Sequence, residues 1–351
     1  MDKIDLLSLS RDELTQYVVS LGEKRFRADQ IWGWMMKGHT LDEMPNVPRS
    51  LTDKLKEISY VPMPAVDEKY VSTDGTVKYL YRLYDGERIE SVLMHYEHGN
   101  TVCISTEAGC PMGCAFCAST LNGISRRLMP SEMLGQVIMT MRDSGERVSN
   151  IVMMGIGEPL DNYDNVMRFL RLVGNEQGMN IGYRHISLST CGLVDKIYDL
   201  ADEGFPITLS ISLHASNDET RSALMPVNKR WNIEKLLTAC RDYFDKTGRR
   251  ISFEYTLVGG KNDTEADAAE LASVLKKYCG TMPLHVNLIP VNNVAERGFV
   301  SGNRHSIDRF AQCLEARHVT ATVRRRLGSD INASCGQLRA KKSATSVAPE
   351  N

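Results

Sequence analysis

The stretch Cys110-Pro111-Met112-Gly113-Cys114-Ala115-Phe116-Cys117 decides how this chain is read. Tetrahedral zinc and ordinary iron–sulfur clusters take four protein ligands. Three thiolates in one tight loop leave a coordination position open. On a four-iron cluster the open iron can hold a small molecule through an amine and a carboxylate. A zinc loop whose fourth ligand lies elsewhere in the chain is the competing reading, because short motifs constrain metals loosely.

The loop sits in a repeating context. Between about residues 101 and 325, strand-like and helix-like runs alternate. Strands are expected at Val102–Ser105, Asn150–Met154, His185–Ser189, Ile207–Leu213, Ser252–Leu257, His285–Ile289 and Thr320–Arg324. Helices are expected at Glu132–Arg142, Asn165–Leu172, Val194–Asp202, Ile233–Tyr243, Glu265–Lys277 and Ile307–Ala316. Such βα repetition implies an α/β fold with a parallel sheet or barrel. In barrels the chemistry sits at the C-terminal ends of the strands. The cysteine loop follows the first strand, where a cofactor loop belongs.

Other polar residues recur at the same ends. Met154-Gly155-Ile156-Gly157-Glu158-Pro159 closes the second strand. Its glycines let backbone approach a ligand closely, and Glu158 can accept hydrogen bonds from an ammonium group. Ser189 and the run Ser212-Leu213-His214 end later strands, with hydroxyls and an imidazole suited to a ribose and a carboxylate. Asn292 follows another strand and is placed to read an adenine. Each alone reads equally well as an ordinary loop residue; their recurrence at one end of the sheet is the signal.

The flanking segments differ in character. Residues 1–60 read as a small helical unit: Ser10-x-x-Glu13 is a capping box opening a helix over Glu13–Leu21, and further helices cover Ala28–Met36 and Leu51–Ile58. The patch Lys24-Arg25-Phe26-Arg27 between helices reads as a solvated turn. Residues 61–100 carry the hairpin signals Asp74-Gly75, Asp85-Gly86 and His98-Gly99, so a short β-meander leads into the barrel segment, 101–338. The tail, 339–351, is small, polar and expected to be disordered. From Ala316 onward there are seven basic residues against two acidic, a balance suited to phosphate contacts around Cys335. The chain has 351 residues, 42% hydrophobic content and a net charge of −2, which excludes a crudely basic nucleic-acid binder but not a local basic face. No apolar run of about 18 residues exists, so no membrane span is expected. The N-terminus lacks the pattern of a signal peptide. The nine cysteines are not spaced as a secreted disulfide framework, which fits a reducing cytoplasm. Cys191, Cys240, Cys279 and Cys313 read as inert small hydrophobes. Cys335, in Asn332-Ala333-Ser334-Cys335-Gly336-Gln337-Leu338, has small polar neighbours and reads as accessible. Cys103 is either core or faces the same cavity.

The Cys-x3-Cys-x2-Cys spacing, with Phe116 before the last cysteine, resembles the radical-SAM superfamily. Glu90, Cys103, the three-cysteine loop, Gly157-Glu158-Pro159, Ser212-Leu213-His214 and Ala333-Ser334-Cys335-Gly336-Gln337-Leu338 occur in the order of one family within it. From about residue 5 to 340 the chain resembles the radical-SAM RNA adenine methyltransferases, the RlmN/Cfr family. Leu21-Gly22-Glu23-Lys24-Arg25-Phe26-Arg27-Ala28 is similar to the RlmN branch. There are departures near the site: Arg126-Arg127-Leu128 stands where basic-Asn-Leu is usual, and Asn332-Ala333-Ser334 where Asp-Ala-Ala is usual.

The resemblance implies a partial (βα)6 radical-SAM barrel with the helical N-terminal domain serving RNA. It implies a [4Fe-4S] cluster held by Cys110, Cys114 and Cys117, with two molecules of S-adenosylmethionine per turnover. Gly157, Glu158, Ser189, Ser212, Leu213, His214 and Asn292 would bind that cofactor. C2 of adenine is no nucleophile, so ordinary methyl displacement fails. In the implied route Cys335 takes a methyl group from one S-adenosylmethionine. A 5′-deoxyadenosyl radical from the second removes a hydrogen from it, and the carbon radical adds to the flipped base. Glu90 is the implied general base, and Cys103 the resolving thiol that forms a transient disulfide with Cys335. The implied substrates are 23S rRNA at the peptidyl transferase centre and the adenosine 3′ of the anticodon in some tRNAs. Flavodoxin or ferredoxin is the implied electron donor and a monomer the simplest state. The alternatives are C8 methylation of the same rRNA adenosine, a radical-SAM enzyme using no methyl-cysteine, and an RNA-binding protein with a structural metal site.

Overall fold

The computed structural model describes residues 3–339. The N-terminal helices are Arg11–Ser20, Phe26–Met35 and Arg49–Ile58. The capping box is formed: Ser10 Oγ accepts from Glu13 N–H at 3.2 Å, and Glu13 accepts from Ser10 N–H at 2.7 Å. Phe26–Met35 buries Ala28, Ile31, Trp32 and Met35. Trp32 Nε1 donates to Gln177 O at 2.7 Å and so ties this unit to the βα region.

One ten-stranded sheet organises the rest, and its spatial order follows the chain. It opens with three antiparallel strands, Ala65–Val71, Val77–Arg82 and Arg88–Met94. Gly75, Gly86 and Gly99 have φ of +86°, +89° and +115°, which is why glycine stands at all three expected turns. Arg88–Met94 pairs antiparallel with Asn100–Cys103. From there seven strands run parallel: Asn100–Cys103, Val148–Met153, Ile186–Thr190, Thr208–Ser212, Ile251–Leu257, His285–Pro290 and Thr320–Val323. Six long helices cross between them: Pro130–Ser144, Tyr163–Val173, Val194–Glu203, Ile233–Thr247, Glu265–Cys279 and Arg304–Glu315. Each buries an apolar stripe against the sheet, and the interior strand Ile251–Leu257 is buried along its whole length. The α/β fold with six βα units and a seventh strand is the one expected.

Several short elements had no sequence counterpart, and two of them bear on the site. Glu107–Gly109 pairs with Ile124–Arg127 as a small hairpin under the cysteine loop, and a short helix, Asp218–Leu224, follows the strand Thr208–Ser212. Both are too short to carry a readable period.

The sheet does not close on itself; its edges are Thr320–Val323 and Ala65–Val71. Residues 327–339 return from the last strand to the meander. Gly328 N–H donates to Asp74 Oδ2 at 2.9 Å, Asp330 accepts from Ser72 and Thr73, and Arg339 N–H donates to Glu90 at 2.5 Å. Of the expected tail, only Arg339 is among the described residues; Lys341 and Lys342 lie outside them. No helix among the described residues is long and apolar enough to cross a membrane.

Candidate active site

The hairpin Glu107–Gly109/Ile124–Arg127 presents the cysteine loop at the strand ends. Gly109 has φ +83°, and a Cβ there would lie 2.0 Å from the Gly123 carbonyl oxygen, so only glycine fits. Cys110 N–H donates to Gly123 O at 3.0 Å and Ala115 N–H to Leu224 O at 2.8 Å. Thr120 Oγ1 lies 3.1 Å from the carbonyls of both Cys114 and Cys117. Cys110, Cys114 and Cys117 line one cavity together with Gly157, Glu158, Ser189, Ser212, His214, Asn292 and Cys335. Burial pushes the thiols of Cys110 and Cys114 up, the latter to about 12, so thiolates here need a cation, and a bound metal supplies one. No three His, Cys, Asp or Glu side chains among the described residues converge tightly enough for a single metal ion. A cluster makes a different demand, because each thiolate meets its own iron. Three thiols spaced along one cavity wall fit that demand.

Opposite the loop, the Gly-Glu-Pro segment is built for close approach. A Cβ on Gly155 would lie 2.5 Å from Ile104 O, and one on Gly157 (φ +108°) 2.7 Å from Glu107 Cβ. Glu158 is buried; its carboxylate accepts from Cys191 N–H at 2.7 Å and Leu160 N–H at 3.1 Å. It therefore ties two strand ends together and has lone pairs left for a ligand ammonium. His214 has φ +57° and accepts at Nδ1 from Thr256 N–H at 2.9 Å. Burial, with Arg221 nearby, lowers its imidazolium to about 3, so the ring is neutral and Nε2 carries the proton as a donor. Ser189 and Ser212 line the cavity as expected. Leu213 does not: its side chain is fully buried on the strand's other face, and its carbonyl accepts from Arg221. Asn292 lines the cavity, but its Nδ2 is engaged, donating to Cys335 O at 2.9 Å.

Cys335 is clasped to the cysteine loop. Ala118 N–H donates to Gly336 O and Ser119 Oγ to Leu338 O, both at 2.8 Å. The residue is exposed only because it faces open cavity; the protein around it pushes its thiol up, with Arg324 opposing. Cys103 is buried at the end of its strand among Val92, Met94, Ile156, Ala333 and Leu338. It shares a small adjoining cavity with Cys335, Met154, Asn292 and Arg324. Burial first, then the Cys335 thiol, raises Cys103 to about 12. The expected disulfide is not formed: Cys103 and Cys335 are both free, one fixed on a buried strand and the other on the returning loop. Glu90 lines neither of these cavities. It faces a third, of about 810 Å³, with Tyr70, Lys78, Asn332, Gln337 and Arg339. Its carboxylate pairs with Lys78 Nζ at 3.3 Å. Residues 332–339 wall both this cavity and the cofactor cavity, and so stand between them.

Residues 104–275 match the Radical SAM superfamily, and residues 4–61 match the ribosomal RNA large subunit methyltransferase N-terminal domain. The chain is 52% identical over 343 residues to a probable dual-specificity RNA methyltransferase RlmN from Alkaliphilus oremlandii, covering 97% of this chain and 99% of that protein. It is 52% identical over 338 residues to the protein of the same description from Clostridium tetani, covering 96% of each. A crystal structure of a radical SAM methyltransferase from Sphaerobacter thermophilus superposes with a TM-score of 0.91 at 42% identity, over 96% of this chain and 100% of that one. This chain belongs to the RlmN family of radical SAM methyltransferases.

Membership of the RlmN family implies a 4Fe-4S cluster and S-adenosylmethionine, and the cavity's three cysteines suit that pair. Glu107 and Arg221 escaped sequence reading, and Arg324 was read only as one of the basic run suited to phosphate contacts. Glu107 is fully buried and accepts from Glu158 N–H at 2.9 Å. Burial, with Asp161 and Glu158 close by, raises it to about 8, so it holds its proton at neutral pH. Arg324 lines the cavities of both Cys335 and Cys103 and faces Glu254 at 3.9 Å. Arg221 lies behind the strand ends. A charged residue inside an apolar or small-residue run was the available signal for Glu107; the two arginines sit in basic and polar stretches that carry none.

Proposed function

We propose that this chain methylates C2 of adenosine in 23S rRNA at the peptidyl transferase centre and C2 of the adenosine 3′ of the anticodon in some tRNAs. The observation that carries this reading is that Cys335 opens into the same cavity as Cys110, Cys114 and Cys117. Those three cysteines hold the cluster, and the walls from Gly157 to Asn292 receive S-adenosylmethionine. Cluster and cofactor, when bound, supply one 5′-deoxyadenosyl radical. The chain's own residues do the remainder. Cys335 Sγ accepts a methyl group from a first S-adenosylmethionine and carries it as a thioether. His214, neutral and donating at Nε2, holds the carboxylate of the second. Asn292 fixes the Cys335 carbonyl and so the height of its sulfur over the cavity floor. The flipped adenosine enters from the Glu90 side, whose cavity has the volume of a nucleoside pocket. The radical takes a hydrogen atom from the Cys335 methyl, and the resulting carbon radical bonds to C2; Glu90 takes the C2 proton, and the adduct's unpaired electron would return to the cluster. The Cys103 thiolate then attacks Cys335 Sγ and breaks its bond to the methylene carbon, which takes up a proton to become the methyl group, leaving a disulfide that outside thiols reduce. A flavodoxin- or ferredoxin-type donor, a monomeric enzyme and a cytoplasmic setting complete the proposal.

Mass spectrometry of the Cys335 peptide, from protein made with its cluster intact, tests this reading. A methyl group on that sulfur is expected. A bare Cys335 after incubation with S-adenosylmethionine and reductant would sink the carrier mechanism. Nucleoside analysis of the product then separates C2 from C8.

A further inference from the structure

Arg221 is the largest fully buried side chain among the described residues. A buried guanidinium ordinarily stands against an anion, because an unpaired charge in low dielectric is costly. Here every hydrogen bond goes to a neutral oxygen. Nε donates to Leu213 O at 3.1 Å, Nη1 to Asn228 Oδ1 at 2.8 Å and Trp231 O at 3.3 Å, and Nη2 to Cys191 O at 2.7 Å and Ser212 O at 3.2 Å. The neighbouring Asp218 makes no direct bond to it: its carboxylate accepts from Asn228 Nδ2 and Ile233 N–H and acts on the guanidinium only across space. The guanidinium's five N–H groups are all committed, so it has none left to bind a ligand directly. What it projects into the cavity is its field.

That field points at the cofactor. Cys191 and Ser212, whose carbonyls it holds, line the cavity wall. Arg221 rides on Asp218–Leu224, and the Leu224 carbonyl anchors Ala115 between two of the loop cysteines. A cation with no directly bonded anion, set behind three thiols, is placed to meet the negative charge that arrives with the metal.

We propose that Arg221 is the built-in countercharge of the iron–sulfur centre, a fixed cation that favours the reduced, more negative cluster and raises its reduction potential. The inference rests on the reading above that the three cysteines hold a cluster. One electron enters from an external one-electron donor with no proton required, and a nearby positive charge stabilises the added negative one.

The test is an anaerobic redox titration of the full-length, cluster-loaded chain, followed by electron paramagnetic resonance of the reduced centre. Arg221→Gln should shift the equilibrium about tenfold against reduction, a midpoint about 59 mV more negative for a one-electron couple. Arg221→Lys should stay near the parent. An unchanged midpoint for Arg221→Gln at full iron content overturns the proposal. Should that variant not fold, Asn228→Asp decides it by placing a carboxylate at the position 2.8 Å from Nη1 and cancelling the field. A more negative midpoint is expected there, and no change overturns the proposal. Iron and sulfide content separates the two readings: a parent chain that takes up no cluster defeats the cofactor assignment itself.

Discussion

Glu90 shows how much one carboxylate depends on its neighbours. Burial raises it above the ordinary glutamate range, while Lys78 and the Arg339 N–H pull it back. Tyr70 and Glu68 face the same cavity from Ala65–Val71, two strands away, and Arg88 from its own strand. A general base works when deprotonated, so proton removal should rise with pH through the Glu90 titration. Lys78→Met removes a lowering influence, and the acid limb should move to higher pH by about one unit, or ~1.4 kcal/mol. Gel assay of adduct resolution against pH checks this; an acid limb at its original pH would take Glu90 out of the proton step. Most of the residues that line the cysteine cavity were legible, because unusual residues cluster at strand ends in a fixed order. Leu213 was the exception. A strand alternates its faces, so three consecutive residues cannot all look into one cavity.

At the scale of elements, local chemistry explains why the loop holds its shape. Gly109→Ala would drive a methyl into the Gly123 carbonyl 2.0 Å away, with φ already at +83°. The hairpin under the cysteine loop should open, at a cost of about 2–4 kcal/mol in urea unfolding. Iron content after reconstitution should fall with it; a fully loaded variant would show that the hairpin does not position the loop. The N-terminal capping box offers a milder case. Ser10→Ala removes the acceptor for Glu13 N–H and should cost about 1 kcal/mol, read as a lower urea midpoint with the cluster content unchanged. The long helices and parallel strands were readable from their periods. The hairpin Glu107–Gly109/Ile124–Arg127 and the helix Asp218–Leu224 were not, since elements of a few residues are set by what they pack against.

Across the whole molecule, the returning segment 327–339 connects the sheet's two edges and separates the cofactor cavity from the Glu90 cavity. Asp74 is one of its anchors. Burial raises this carboxylate, but the N–H groups of Gly328 and Thr76 outweigh burial and bring it to about 2. Since the folded value lies below the ordinary 3.8, the tie holds at neutral pH and is lost as pH falls toward 2. Asp74→Ala should speed hydrogen exchange at the amides of 328–338 while the barrel helices stay protected; equal protection in both proteins would show that the arm is held elsewhere.

The sequence alone determined the α/β class, the N-terminal helices, the meander and the cysteine loop, because periodicity, glycine turns and ligand spacing are local properties of the chain. It also carried the family, through motifs in a fixed order. Only the tertiary structure decided that Glu90 and the three loop cysteines face different cavities, that Asn292 holds the Cys335 carbonyl, and that Arg221 lies behind the thiols with no directly bonded anion. Those facts depend on which surfaces meet when strands distant in sequence align, and no local pattern records them.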